Sequence, residues 1–126
     1  NLGLVYNRVG QHENAIKVLT EAIQLNPNHP KGYYFRGLAH AGSNKFDLAV
    51  NDYSSAIQLF PNYLEAYYCK ALSFRKKDMF EEAIENLNRY LATYPADKNV
   101  IYAHYLIAVI YFEQIKDEII KKISNK

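Results

Sequence analysis

Four histidines, one cysteine and a group of glutamates are the side chains in this 126-residue sequence whose types could carry chemistry. A zinc site needs His, Cys, Asp or Glu ligands at short, regular spacing. His12, His29, His40 and His104 have no such partner at that spacing. A catalytic thiol needs a base beside it, and Cys69 has no histidine near it in sequence. It reads first as a small hydrophobe and only second as a reactive thiol. Glu81, Glu82 and Glu85 open a helix, where carboxylates favour the dipole and solvate the outer face. No glycine-rich phosphate loop and no nucleophile–base–orienter set is present. The expectation is a chain that is not an enzyme and uses no metal or cofactor.

Charge points the same way. Lys and Arg number 15 against 13 Asp and Glu, too small an excess for a dedicated nucleic-acid surface. No apolar run approaches the ~20 residues that span a bilayer, so direct membrane insertion is not expected. A single cysteine cannot form an internal disulfide and fits a reducing compartment, which favours the cytoplasm. The chain opens at Asn1 in what reads as the middle of a helix and is taken as a fragment. Twelve tyrosines and no tryptophan remain to be explained.

The elements that position these residues follow a repeat. Pro27, Pro61 and Pro95 lie 34 residues apart, as do Gly3, Gly37 and Ala71 and also Ala15, Ala49 and Ala83. Tyr34, Tyr68 and Tyr102 keep the same step, and Leu4, Leu38, Leu72 and Leu106 keep it over four positions. Such a period marks a stacked-repeat architecture. Each unit reads as helix, turn, helix. The spacing predicts helices over about 31–41, 46–59, 65–76 and 80–94, after a first unit of which only residues 1–9 and a helix over about 12–25 are present. Proline after each second helix stops it. Gly37, Ala71, Ala49 and Ala83 are predicted to be small slots where paired helices meet, with Tyr33, Tyr67, Phe46, Phe80, Tyr53 and Leu87 filling the volume between. Val100 onward reads as one long closing helix to about Ile123. Its Ile115, Ile119, Ile120 and Ile123 are expected to cap the open end, with 124–126 frayed.

These residues resemble the tetratricopeptide repeat over positions 1 to about 111. The first unit shows Leu2-Gly3, Tyr6, Ala15, Leu19, Ala22 and Pro27. The second shows Tyr33, Gly37, Ala49, Tyr53, Ala56 and Pro61. The third shows Tyr67, Ala71, Phe74, Ala83, Leu87 and Pro95, with Tyr90 where a small residue is usual. The resemblance implies an all-α, right-handed α-solenoid of antiparallel helix pairs. Its organisation is a single domain with a truncated repeat at about 1–29, repeats at 30–63 and 64–97, and a capping helix at 98–123. It also implies protein–protein interaction, through a concave groove lined by the first helix of each pair.

In the family the groove slots correspond here to Tyr34, Leu38, Tyr68, Leu72, Tyr102 and Leu106. Phe35, Cys69 and Ala103 lie between them, and Lys31, Glu65 and Asn99 lie near the rim. Leucines at these slots read equally as packing between adjacent helices. Tyrosine rings give contact area at low entropic cost and tolerate water at the hydroxyl, so they read as groove residues. The surface would suit an extended peptide or an amphipathic helix, and a homodimer through this groove or through the truncated first repeat is the other expectation. The basic clamp that some members use for a C-terminal carboxylate finds Asn1 and Lys31 in place, but Phe35 stands where its arginine belongs and Arg36 is one residue off. Arg75, with Lys76 and Lys77, sits at a helix C-terminus, where cations offset the dipole, and offers a lesser contact for an acidic partner.

A second resemblance covers about 65–118. Arg89-Tyr90-Leu91, Tyr94-Pro95, Tyr102-Ala103-His104-Tyr105-Leu106 and Tyr111-Phe112-Glu113-Gln114-Ile115 look like the bacterial outer-membrane assembly lipoprotein family of BamD, itself a tetratricopeptide-like periplasmic adaptor. It implies a scaffold role in outer-membrane protein assembly and a periplasmic location. A composite or designed repeat chain without a native ligand is the remaining alternative.

Overall fold

The computed structural model describes residues 10–125. The readings made on residues 1–9 and on Lys126 lie outside them. Six helices follow one another: α1 (His12–Leu25), α2 (Pro30–Gly42), α3 (Phe46–Leu59), α4 (Leu64–Lys76), α5 (Phe80–Thr93) and α6 (Val100–Ser124). No strand occurs among the described residues. Observed and predicted limits agree to within one residue. Pro27, Pro61 and Pro95 fall just beyond α1, α3 and α5, as expected; Pro30, which the sequence reading did not use, occupies the first turn of α2, where its missing N–H is no loss.

Each helix packs on the next, and in addition α2 touches α4 and α4 touches α6. No Cα of α1 comes within 8 Å of one in α3, nor any of α3 within 8 Å of one in α5. The even-numbered helices therefore form one continuous layer and the odd-numbered ones a splayed outer layer. A stack curves towards the layer whose members touch, so the even helices line the inside.

The small slots are where the pairs close. Ala15, Ala49, Ala71 and Ala83 are wholly buried. A Cβ built on Gly37 would stand 2.6 Å from Cε1 of Tyr53, whose ring is itself buried. Glycine is thus what lets α2 lie against that ring. Overpacking such a site costs ~1–3 kcal/mol, so Ala49→Leu is expected to lower the denaturation midpoint by that amount. An unchanged melting curve would show that this pairing surface has slack. Tyr90, in the third unit's unusual slot, is also fully buried, with its ring 5.4 Å from Tyr67 and 5.5 Å from Tyr94.

The turns carry a signal that the sequence reading passed over. Asn44 and Asp78 have φ of 61° and 59°, and Gly10 has 77°; all three are one 34-residue step apart. The backbone N–H of Lys45 donates to the His40 carbonyl and that of Met79 to the Phe74 carbonyl, which closes each first helix on a left-handed residue. Asn, Asp and Gly tolerate that conformation; bulky side chains do not. The next step lands on Phe112. An aromatic residue resists the left-handed turn, so α6 runs on as one 25-residue helix instead of folding back.

One expectation fails here. Ile115, Ile119, Ile120 and Ile123 do not cap the core; each exposes half or more of its surface. Only the first half of α6, through Ala103, Leu106 and Ile110, is buried against the body.

Candidate peptide-binding surface

The inner layer is built from the first helices, and the tyrosine period places one ring per helix along it. Tyr34 on α2 reaches α4, its hydroxyl 3.7 Å from the Cys69 sulfur. Tyr68 on α4 meets Tyr102 on α6 edge to face, with ring centroids 5.8 Å apart. Every ring of the ladder thus touches the adjacent inner helix while keeping part of its surface open. Tyr34 sits deepest, packed against Phe35, Tyr53 and Tyr63. Burial, then the nearby Cys69, push its hydroxyl far above the ordinary tyrosine range. Tyr68 is raised by burial and next by Tyr102.

Beside the ladder lies an apolar cavity of about 320 Å³, where Leu38, Cys69 and Leu72 meet Phe46 and Tyr53 and Lys76 stands at the edge. Cys69 is raised in pKa, first by burial, so it stays a thiol; this is the small-hydrophobe reading. A second cavity of about 510 Å³, between α1 and α2, brings Lys31 and Phe35 together with Leu19, Ile23 and Gly32. Glu65 is exposed, and its charge reaches Tyr34 and Tyr63. Arg75 lies near enough to act on Tyr68. Asn99 stands at the start of α6 without a side-chain capping bond, its backbone N–H donating to Asp97 Oδ1 at 2.8 Å. Leu106 does not join the surface. It is 5% exposed, inside the cluster of Ala71, Leu87 and Ile110, so the leucine ladder loses that rung to helix packing.

The sequence reading missed a polar network behind the inner layer. Arg36 donates through Nε and Nη2 to the two carboxylate oxygens of Asp52, at 2.8 and 2.7 Å, and through Nη1 to Thr20 Oγ1 at 3.3 Å. It joins α1, α2 and α3. The available signal was Asp52 itself, one turn from both Ala49 and Ala56 on a buried face. With both forks of its guanidinium taken, Arg36 is not free to grip a carboxylate in the groove. His40 Nε2 lies 3.6 Å from Asp52 Oδ2, beyond hydrogen-bond distance, and its buried Nδ1 has no hydrogen-bond partner among the described residues. Burial first, then Arg36 and Lys45, lower the His40 pKa against the pull of Asp52. A lowered native pKa means that the unfolded chain binds the proton first. Stability is therefore complete above about pH 6.5 and falls as the pH drops below it. Melting temperature is expected to decline on mild acidification, and His40→Phe is expected to flatten that decline.

Among the described residues no group of three His, Cys, Asp or Glu could hold a metal ion, and no helix is long and apolar enough to cross a membrane.

Comparison with known proteins places this architecture. Residues 3–44 match the family described as TPR repeat, and residues 43–125 match the family described as outer membrane lipoprotein, YfiO. The chain belongs to the YfiO family of tetratricopeptide-type solenoids. That match is longer than the BamD-like stretch read from the sequence. No curated relative matches the chain. Among solved structures, the TPR2B domain of yeast Sti1 in its pHsp70 complex is 26% identical, with a TM-score of 0.76 over 88% of this chain and 91% of that one. The second TPR domain of human RPAP3, in complex with the HSP70 peptide SGPTIEEVD, is 22% identical, with a TM-score of 0.73 over 86% and 88%. The type III secretion translocator chaperone SycD of Yersinia enterocolitica is 19% identical, with a TM-score of 0.74 over 90% and 81%. The last two speak for the fold alone, the right-handed α-solenoid of antiparallel pairs. Domains of this kind are in general non-catalytic protein-interaction modules, and the chain has the fold of such a protein-interaction adaptor.

Proposed function

We propose that the adaptor holds a segment of its partner along the inner face of α2, α4 and α6, with Tyr68 and Tyr102 as anchors and the Leu38–Cys69–Leu72 cavity receiving an apolar side chain. The observation that carries this is the half-open tyrosine pair beside that cavity: rings already fixed against each other lose little entropy on contact. The likeness to a Sti1 domain in complex with pHsp70 supports a peptide as the ligand. The commitment of Arg36 to Asp52 argues for apolar anchoring over a carboxylate clamp.

The test is affinity for a peptide selected against the chain from a random display library, with SGPTIEEVD as a second probe. Truncating anchor residues typically costs ~2 kcal/mol or more. Tyr68→Ala with Tyr102→Ala is expected to weaken the selected peptide by more than about thirtyfold while leaving helicity intact, and SGPTIEEVD is expected to bind poorly throughout. Undiminished capture by the double variant would place the peptide elsewhere.

The match over residues 43–125 supports a narrower second reading, a scaffold in bacterial outer-membrane protein assembly. Co-purification of outer-membrane fractions with the tagged chain would favour it, and recovery only with soluble partners would count against it.

A further inference from the structure

α6 is apolar on two opposite faces. Ala103, Leu106 and Ile110 face the body. On the other side, Ile101, Tyr105, Phe112, Ile115 and Ile119 expose 83, 63, 64, 56 and 52% of their surface, with Ala108 exposed among them. At 100° per residue these six positions fall within about 40° of one line, in alternating steps of four and three. That is the seam of a coiled coil, and it extends about 27 Å along the helix.

The repeat explains why the seam is open. One 34-residue step earlier, Tyr67, Ala71 and Phe74 occupy the positions of Ile101, Tyr105 and Ala108, and there they sit in the core formed with α5. The face that α4 gives to its own second helix is turned outward in α6. A helix of the usual kind would not seat there, because Tyr105 replaces the small residue of Gly37 and Ala71 that allows close approach.

We propose that this face is covered by α6 of a second copy, running antiparallel as a two-stranded coiled coil. The seam is self-complementary in that direction. Ile101 meets Ile119 of the second copy, Tyr105 meets Ile115, and small Ala108 meets large Phe112, with each layer repeated by the two-fold axis. In the flanking positions His104 falls opposite Glu118 of the second copy, so that a ring N–H faces a carboxylate, twice per dimer. The area is adequate. Five large residues with more than half of their surface open offer on the order of 100 Å² each; with the flanking side chains this approaches the ~800 Å² per partner of a stable interface. None of the six seam positions is a groove residue, but Tyr102 flanks the seam beside Ile101, so the two surfaces adjoin along α6.

The experiment is sedimentation equilibrium of the 126-residue chain across a concentration series, beside circular dichroism. The expected species is a dimer of the 14.6 kDa chain. Ile115→Asp with Ile119→Asp, both outside the packed half of α6, is expected to give a monomer with unchanged helicity. Orientation is read by charge. Glu118→Arg is expected to raise the dissociation constant by about tenfold or more, and adding His104→Glu is expected to restore it, because only the antiparallel arrangement brings these positions together. A chain that stays monomeric, or a dimer that ignores the double aspartate variant, overturns the proposal. A dimer lost with Tyr68→Ala but kept with the aspartates would assign association to the groove. A dimer broken by the aspartates but not restored by the charge reversal would overturn the antiparallel arrangement.

Discussion

Asp52→Ala is expected to remove ~3 kcal/mol of folding free energy, the size typical of stripping one partner from a buried ion pair. Asp52 is 5% exposed and receives Arg36 in two parallel bonds. Its removal leaves the largely covered guanidinium with Thr20 and the Tyr33 ring face, 5.8 Å from Cζ, and with no carboxylate. A domain of this size has only ~5–15 kcal/mol in hand, so the loss is a large share and should appear directly as a lower urea midpoint. Replacing both partners is expected to hurt less than removing one, since the uncompensated charge goes with its partner. A loss below ~1 kcal/mol for Asp52→Ala would mean that Arg36 swings out to solvent, which would also free it for the groove.

The second large effect is alkaline. Tyr53 and Tyr90 are buried to 1 and 0% exposure. Burial first pushes both hydroxyls up, Tyr90 to about 12 and Tyr53 beyond that, with Cys69 and Asp97 adding to Tyr53 and Tyr90 respectively. Tyr63 is likewise raised by burial to about 12. In the unfolded chain each titrates near 10. Above that value the unfolded state has released protons that the native state keeps, so stability is whole below about pH 10 and falls as the pH rises towards the native values. Each ring held neutral contributes a loss of ~1.4 kcal/mol per pH unit, so Tyr53 and Tyr90 together amount to ~3 kcal/mol per unit. Helix loss is expected to coincide with the part of the phenolate absorbance that exposed rings such as Tyr105 and Tyr111 do not supply, and to shift upward in Tyr53→Phe. A chain that stays helical while Tyr53→Phe lowers the absorbance gained near pH 10 would contradict the tightness of these sites.

Much of the fold was legible because stacking imposes a strict period. Gly37, Ala49, Ala71 and Ala83 had to be small for helices to meet, and proline had to follow each second helix. The behaviour of α6 was less legible. Its length was readable from the missing turn, but the outward stance of Ile115 and Ile119 was not, since an apolar residue at helical spacing looks the same whether or not a neighbour lies there. The groove divides in the same way. Tyr68 and Tyr102 could be placed from the repeat alone. Leu106 could not be separated from core, because the inner layer is also where α4 and α6 pack. The Arg36–Asp52 pair escaped notice because its residues lie 16 positions apart, and only the closed α2–α3 hairpin brings them together.

A segment bound on the inner face touches α2, α4 and α6 and leaves the outer helices free. The most direct measurement is photo-cross-linking of the selected peptide to the chain, with the labelled residues identified by mass spectrometry. Labels are predicted at Tyr34, Leu38, Tyr68, Leu72 and Tyr102, all on α2, α4 and α6. Labels gathered instead on the outer helices, around Leu25 of α1 or Leu48 of α3, would contradict it.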